Sequence, residues 1–219
     1  MTYLVISLTI SPLLAVLLYV YLKYRFPEGY FKLLFKSYFW GVLSSLIAGV
    51  FFFTAYKLSY IELKNLRRIL FFSFIIIGLG QELGKFLVLR YLILPSKHFK
   101  SPVDGVIYSL MISFGAISIF NIATIVIYPD YDMSTLISST IISMVYAVIM
   151  GFFVGLGKTR KNRLIDSLSG LFGAIFFHGV YEFIIQTNDR LLLWPFLIGS
   201  AIITFLFILK SIQISDENK

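Results

Sequence analysis

The stretch ILFFSFIIIGLGQELGKFLVLRYLIL, residues Ile69–Leu94, decides how the chain must be read. It is 26 residues long and almost wholly apolar, enough for a helix to cross a bilayer with some tilt. Yet Gln81, Glu82 and Lys85 sit in its middle. On insertion scales a charge at the bilayer centre costs about 2.5–3.5 kcal/mol, so charged residues at that depth mark a site or a pair. Six further runs of similar length flank this one: Tyr3–Leu22, Ser37–Tyr56, Asp104–Tyr128, Thr135–Leu156, Leu164–Gln186 and Leu191–Lys210. The expected fold is therefore an all-α polytopic membrane protein, a bundle of about seven transmembrane helices. It forms a single integral membrane domain, residues 1–219, with a motif-bearing core over about 69–186.

Composition agrees. The 219 residues are 58% hydrophobic and 14% charged, with a mean hydropathy of +0.88. A soluble domain is about 45–50% apolar and about 25% charged, so lipid must cover the surplus apolar surface. The formal net charge of +8 sits in short loops, which is the signature of membrane orientation and not of nucleic-acid binding. There is no cysteine, which excludes a disulfide, a thiolate metal site and a cysteine nucleophile. The first run lacks a basic leader and a small-x-small cleavage site, and reads as a retained helix.

Breakers fall between the runs: Pro27 with Glu28, Ser101 with Pro102, and Pro129 with Asp130. Asp104 opens the fourth run and is placed to act as its N-cap. Loops one, three and five carry eleven basic residues: Lys23, Arg25, Lys32, Lys36, Arg90, Lys97, Lys100, Lys158, Arg160, Lys161 and Arg163. The opposite side carries five, Lys57, Lys64, Arg67, Arg68 and Arg190, with the acidic Asp130 and Asp132. The bias puts the N-terminus outside and the C-terminus in the cytoplasm, and the expected location is the plasma (inner) membrane.

Polar residues recur inside the apolar runs. Besides Gln81, Glu82 and Lys85, they are Asn121, Ser143, His178 and Glu182. Glu82 lies thirteen residues from the outer end of its run and His178 fourteen from the inner end of its own, about 20 Å at the rise of a helix. In antiparallel helices both reach mid-bilayer, where an acid and an imidazole can meet. A plainer reading also accounts for part of the pattern. Glu82 with Lys85, and His178 with Glu182, are spaced to pair on their own helices, but such local pairing does not explain the shared depth.

The order of these residues resembles that of PrsW-type intramembrane proteases, distant relatives of the CAAX-prenyl protease and bacteriocin-processing families. Gln81-Glu82-Leu83-Gly84-Lys85 resembles the family's Glu-Glu-x-x-Lys motif. Pro102-Val103-Asp104-Gly105-Val106-Ile107-Tyr108 resembles its Pro-x-Asp-Gly-x-x-Tyr stretch. Gly115 and Asn121 fall where its Gly-Phe-x-x-x-Glu-Asn stretch has Gly and Asn. Gly151 and Gly155 resemble its glycine pattern, and His178-Gly179-Val180-Tyr181-Glu182 its His-x-x-Trp-Asp motif. Three positions depart from it. Gln81 replaces the first acid, Phe120 the Glu before Asn121, and Ser143 stands where the first histidine aligns.

The resemblance implies an intramembrane endopeptidase whose substrate is a membrane protein or membrane peptide in the lipid bilayer. Its water is activated by Glu82, with His178, Asn121 and Gln81 as the other catalytic groups and Lys85, Glu182, Asp104 and Ser143 in support. This reading names no definite cofactor and leaves room for a divalent metal, with hydrolysis assisted by the glutamate or by that metal. A divalent metal, if one were held, would take Glu82, His178 and Glu182, though nothing here resembles His-Glu-x-x-His. Two other functions fit the same residues. One is a catalytically degenerate family member that binds membrane peptides or partners. The other is a transporter or proton pathway, against which stands the lack of an inverted repeat.

Overall fold

The computed structural model describes residues 2–25, 31–127 and 133–217. Pro27, Glu28, Pro129, Asp130 and Asp132 lie outside them. The described residues form seven helices and no strand. They are α1 (Thr2–Arg25), α2 (Phe31–Lys57), α3 (Leu66–Ile93), α4 (Pro102–Ile127), α5 (Met133–Thr159), α6 (Arg163–Thr187) and α7 (Arg190–Glu217). Six of them are long and apolar enough to cross a membrane; α1 has 24 residues, with an apolar stretch at Thr9–Tyr24. Helix α2 begins six residues before its apolar run, taking in Lys32 and Lys36. Long basic side chains at a helix end can reach the interface while their stems stay in lipid.

Local chemistry sets the helix ends. At the start of α4, Ser101 and not Asp104 is the cap, and Asp104 belongs to the first turn. The carboxylate of Asp104 accepts from the backbone N–H groups of Lys100 (2.8 Å) and Ser101 (3.0 Å), and its own N–H faces the Ser101 hydroxyl at 3.4 Å. This is a reciprocal capping box, which satisfies two backbone donors at once. At the other end of the bundle Asn188 adopts φ 52° and closes α6, with its N–H on Ile184 and Ile185. Asp189 then caps α7 by accepting from Leu191 and Leu192. Two residues thus turn the chain back through the membrane.

Helices α2, α3, α6, α5 and α4 pack in that order into a closed ring, with α1 against α4 and α7 against α5, α4 and α6. The innermost helix is α5, with 83% of its most apolar window buried; α7, with 6%, presents its side chains to lipid. In lipid there is little hydrophobic force between helices, so close packing at small residues carries much of the association. Glycines sit at the crossings. A Cβ at Gly41 would strike the Ile112 carbonyl, and one at Gly115 the Tyr38 carbonyl, so α2 and α4 touch backbone to backbone. Gly151 and Gly155, spaced as Gly-x-x-x-Gly, let α5 do the same against Gly105 and Pro102 of α4.

These contacts give a direct test. A Cβ at Gly105 would collide with the Gly151 carbonyl oxygen and lie 2.9 Å from the Gly155 Cα, whereas one at Gly199 meets nothing within 4 Å. Gly105→Ala is expected to destabilise the bundle by about 1–3 kcal/mol, the scale of overpacking. Gly199→Ala is expected to hold or raise stability, because alanine favours the helix by up to about 1 kcal/mol. Thermal unfolding in detergent reads both; equal midpoints would show that the α4–α5 crossing does not need the glycine.

Candidate functional site

The site is built where α3 meets α6. Helix α3 is not regular. Wide π-helical turns occupy Phe72–Leu79 and Val88–Ile93, and a normal α-helical segment, Gly80–Leu87, lies between them. Such turns shift the register of the side chains that follow and recur at functional sites. Here they bracket the segment that carries Gln81, Glu82 and Lys85. Gly78 and Gly179 bring the two backbones together. A Cβ on Gly78 would stand 3.2 Å from the Ile175 carbonyl oxygen, and one on Gly179 would enter the Phe74 ring. Gly179 directly follows His178, and Gly78 lies one turn before Glu82, so the close crossing delivers the imidazole to the carboxylate.

Oε1 of Glu82 is shared. The Lys85 ammonium donates to it at 2.6 Å from one turn along α3, and His178 Nδ1 stands 2.7 Å from it on α6. Glu82 is fully buried, Lys85 is 4% exposed and His178 6%. With Glu82 ionised, Nδ1 carries the proton and Nε2 is left as the acceptor. The Tyr146 ring of α5 stacks on the imidazole, centroids 4.4 Å apart and planes 18° from parallel, and holds the ring in place. Glu82 Oε2 and the Tyr146 hydroxyl are buried and have no hydrogen-bond partner among the described residues. Buried polar groups are normally paired, so these two are departures from the rule beside one imidazole.

A cavity of about 1080 Å³ lies against this centre, walled by all five helices of the ring. Gln81, Asn121, Ser143, Tyr146, His178 and Glu182 line it together with Phe52, Phe53, Phe72 and Phe120. Asn121 spends one amide N–H on the Thr140 hydroxyl (3.0 Å), which leaves the other N–H free of that bond. Ser143 donates to the Thr140 carbonyl at 2.6 Å. Glu182 and Gln186, one turn apart on α6, are both wall residues.

The residues singled out in the sequence therefore separate into three groups. Gln81, Asn121, Ser143, His178 and Glu182 share the cavity wall. Glu82 and Lys85 stand behind it and reach it through His178. Asp104 is elsewhere, occupied in the capping box. All three departures from the family pattern, Gln81, Phe120 and Ser143, face the cavity. Tyr146 is the residue that sequence reading misses. Its signal is its place one turn beyond Ser143, on the same face of α5.

Fold and centre together define an integral membrane protein with an acid–imidazole pair buried beside a cavity between its helices. A family profile described as PrsW family intramembrane metalloprotease matches residues 30–211, and the chain belongs to that family. It is 28% identical over 198 residues to a "Protease PrsW" of Oceanobacillus iheyensis, covering 89% of each chain. It is likewise 28% identical over 202 residues to that of Bacillus subtilis, again covering 89% of each. The Geobacillus kaustophilus relative is 26% identical over 200 residues, which is 89% of this chain and 84% of its own. No solved structure matches the chain.

The family description implies a metal, and the residues present do not fit one. Among the described residues no group of three or more His, Cys, Asp or Glu side chains converges as a ligand set. Oε1 of Glu82, the first donor a cation would seek, already carries the Lys85 ammonium at 2.6 Å. No chemical step is therefore assigned to a metal in this chain.

The ion pair makes a prediction of its own. Lys85→Met leaves a carboxylate buried with one partner removed, a loss of about 3–5 kcal/mol when a buried pair is broken. The double variant Glu82→Gln with Lys85→Met removes both charges and is expected to regain much of that loss. A double-mutant cycle on unfolding in detergent measures the coupling, and additive effects would show that the two charges do not sustain each other.

Proposed function

We propose that the chain hydrolyses peptide bonds in or beside the apolar span of a membrane protein, with water activated by Glu82 acting through His178. The observation that carries this reading is the Lys85–Glu82–His178 hydrogen-bonded chain. It joins residues 96 apart in sequence and ends at the wall of a cavity. Glu82 orients the imidazole and stabilises the imidazolium formed as Nε2 takes a proton from water, the role of a buried carboxylate in acyl-transfer triads. The hydroxide then adds to the scissile carbonyl. Asn121 and Gln81, amide donors that line the same cavity, are the groups we assign to the developing oxyanion. The imidazolium returns its proton to the leaving amine, so the base is restored at each turnover. Ser143 and Glu182 complete the polar wall, and Lys85 keeps the buried charge on Glu82 tolerable.

The basic-loop bias supports an N-terminus outside, a C-terminus in the cytoplasm, and residence in the plasma membrane. With that orientation the lining residues run from mid-bilayer, at Gln81 and Tyr146, to the outer end of the bundle, so the bond is cut in that range. A second reading rests on the wall itself. With Gln81, Phe120 and Ser143 in place of ionisable groups, the same cavity serves a non-hydrolytic member that holds membrane peptides.

The two are separated by comparing new protein N-termini in membranes of cells carrying wild-type, Glu82→Gln or His178→Ala protein at equal abundance. Proteolysis predicts termini that disappear in both variants, with turnover of the purified protein falling by about 10²–10⁴, the usual share of general acid–base catalysis. Termini unchanged in Glu82→Gln would sink the hydrolytic reading and leave the binding one.

A further inference from the structure

The cavity is not closed on every side. Along the inner half of α2, Tyr38, Gly41 and Val42 press on Gly115 of α4, and the Tyr38 and Ser118 hydroxyls lie 3.1 Å apart. At helical spacing the same face of α2 continues through Ser45, Gly49, Phe52 and Tyr56. There it turns to the cavity. Gly49, Phe52, Phe53 and Tyr56 line the cavity on one side and Phe120, Ala123, Thr124 and Ile127 on the other. A Cβ built on Gly49 finds no atom within 4 Å. Phe53 and Ile127, both on the cavity wall, are 60% and 55% exposed. The two helices touch at a glycine crossing and then splay, and the split opens sideways within their apolar lengths.

We infer that this split between α2 and α4 is a lateral entry for one apolar span of the substrate, with Gly49 as its sill. The inference rests on the proteolytic reading above. Polarity identifies the occupant. The lip is Gly49, Phe53, Ala123 and Ile127; the interior holds Gln81, Asn121, Ser143, His178 and Glu182. A transmembrane helix has all its backbone groups paired, and a stretch of it must unwind before a peptide bond can be attacked. Unwound N–H and C=O groups need partners at membrane depth, and such backbone is tolerated only where protein or water supplies them. Apolar walls for side chains with amide and hydroxyl groups behind them suit such a segment. A lipid acyl chain would use none of the polar groups.

The test places a photoreactive benzophenone amino acid at Gly49 or, as a matched control, at Gly199 of α7, where a Cβ is equally unobstructed. Both proteins carry Glu82→Gln and are reconstituted in phosphatidylethanolamine–phosphatidylglycerol vesicles. The probe is a peptide bearing one Leu/Ala-rich span of about 20 residues. The expected result is a peptide adduct from position 49 about ten-fold above that from 199. Equal adducts, or phospholipid adducts alone at 49, overturn the entry. In otherwise wild-type protein, Gly49→Leu is expected to reduce cleavage of embedded single-span substrates about ten-fold or more, with Gly199→Leu unchanged. Cleavage by Gly49→Leu at the unsubstituted rate also overturns it. Selective adducts at 49 in a protein that cleaves nothing would keep the entry and remove the proteolytic reading, so the two failures are distinct.

Discussion

One carboxylate oxygen organises the molecule. Glu82 Oε1 receives an ammonium from its own helix and an imidazole from α6, and no solvent reaches it. An isolated ion at such depth is expensive, and a buried pair holds only when geometry and hydrogen bonding are both good. Much of the architecture serves that condition. The π-helical turns set the register of the Glu82 segment, Gly78 and Gly179 let α3 and α6 close up, and Tyr146 fixes the plane of the imidazole. Each is a local departure from an ordinary apolar helix, and each is at or beside the charged cluster.

The same arrangement explains the division between the buried and the lining groups. A carboxylate facing the cavity directly would exchange its ammonium partner for water and substrate. Set behind His178, it keeps the ammonium, and the imidazole alone stands between it and the cavity. The cavity thus lies toward one end of the bundle, the end where α2 and α4 finish. Toward the other end, where Gly41 meets Ile112 next to Gly115 and Gly105 meets Gly151, the helices are packed backbone to backbone, and this clamp holds the ring together.

How much of this could be read from the chain depends on the range of the interaction. The apolar runs report the helices because lipid imposes the same length on every span. The meeting of Glu82 with His178 is legible because depth in a membrane is one-dimensional, so counting along two antiparallel helices places both side chains at one level. The capping box at Ser101 and Asp104 was within reach of local rules, which favour Ser before the proline and an acid three residues on. What a residue faces around the helix axis is another matter. Tyr146 looks like one more aromatic in an apolar run until the packing of α5 on α6 puts its ring on the imidazole. The π-helical turns have no signature in composition, and the splay of α2 from α4 depends on where backbones touch.

The substitutions at the cavity wall bear on what kind of chemistry survives. Gln81, Phe120 and Ser143 stand on the cavity wall where the motifs the chain resembles have ionisable groups, and Glu82, Lys85 and His178 behind or at that wall are mutually paired. The fold itself holds such a pair, since losing either partner strands the other as a buried charge. The costly part of the centre is kept, and the changes fall where they alter the polarity of the wall without leaving a buried charge alone. Gln81 still offers amide hydrogen bonds to a peptide, and Ser143 still packs through the Thr140 carbonyl. Fewer charges on the wall also suit a segment that arrives from lipid with apolar side chains. What this chain shares with the motif set is the acid–imidazole pair, and what differs is the wall around it.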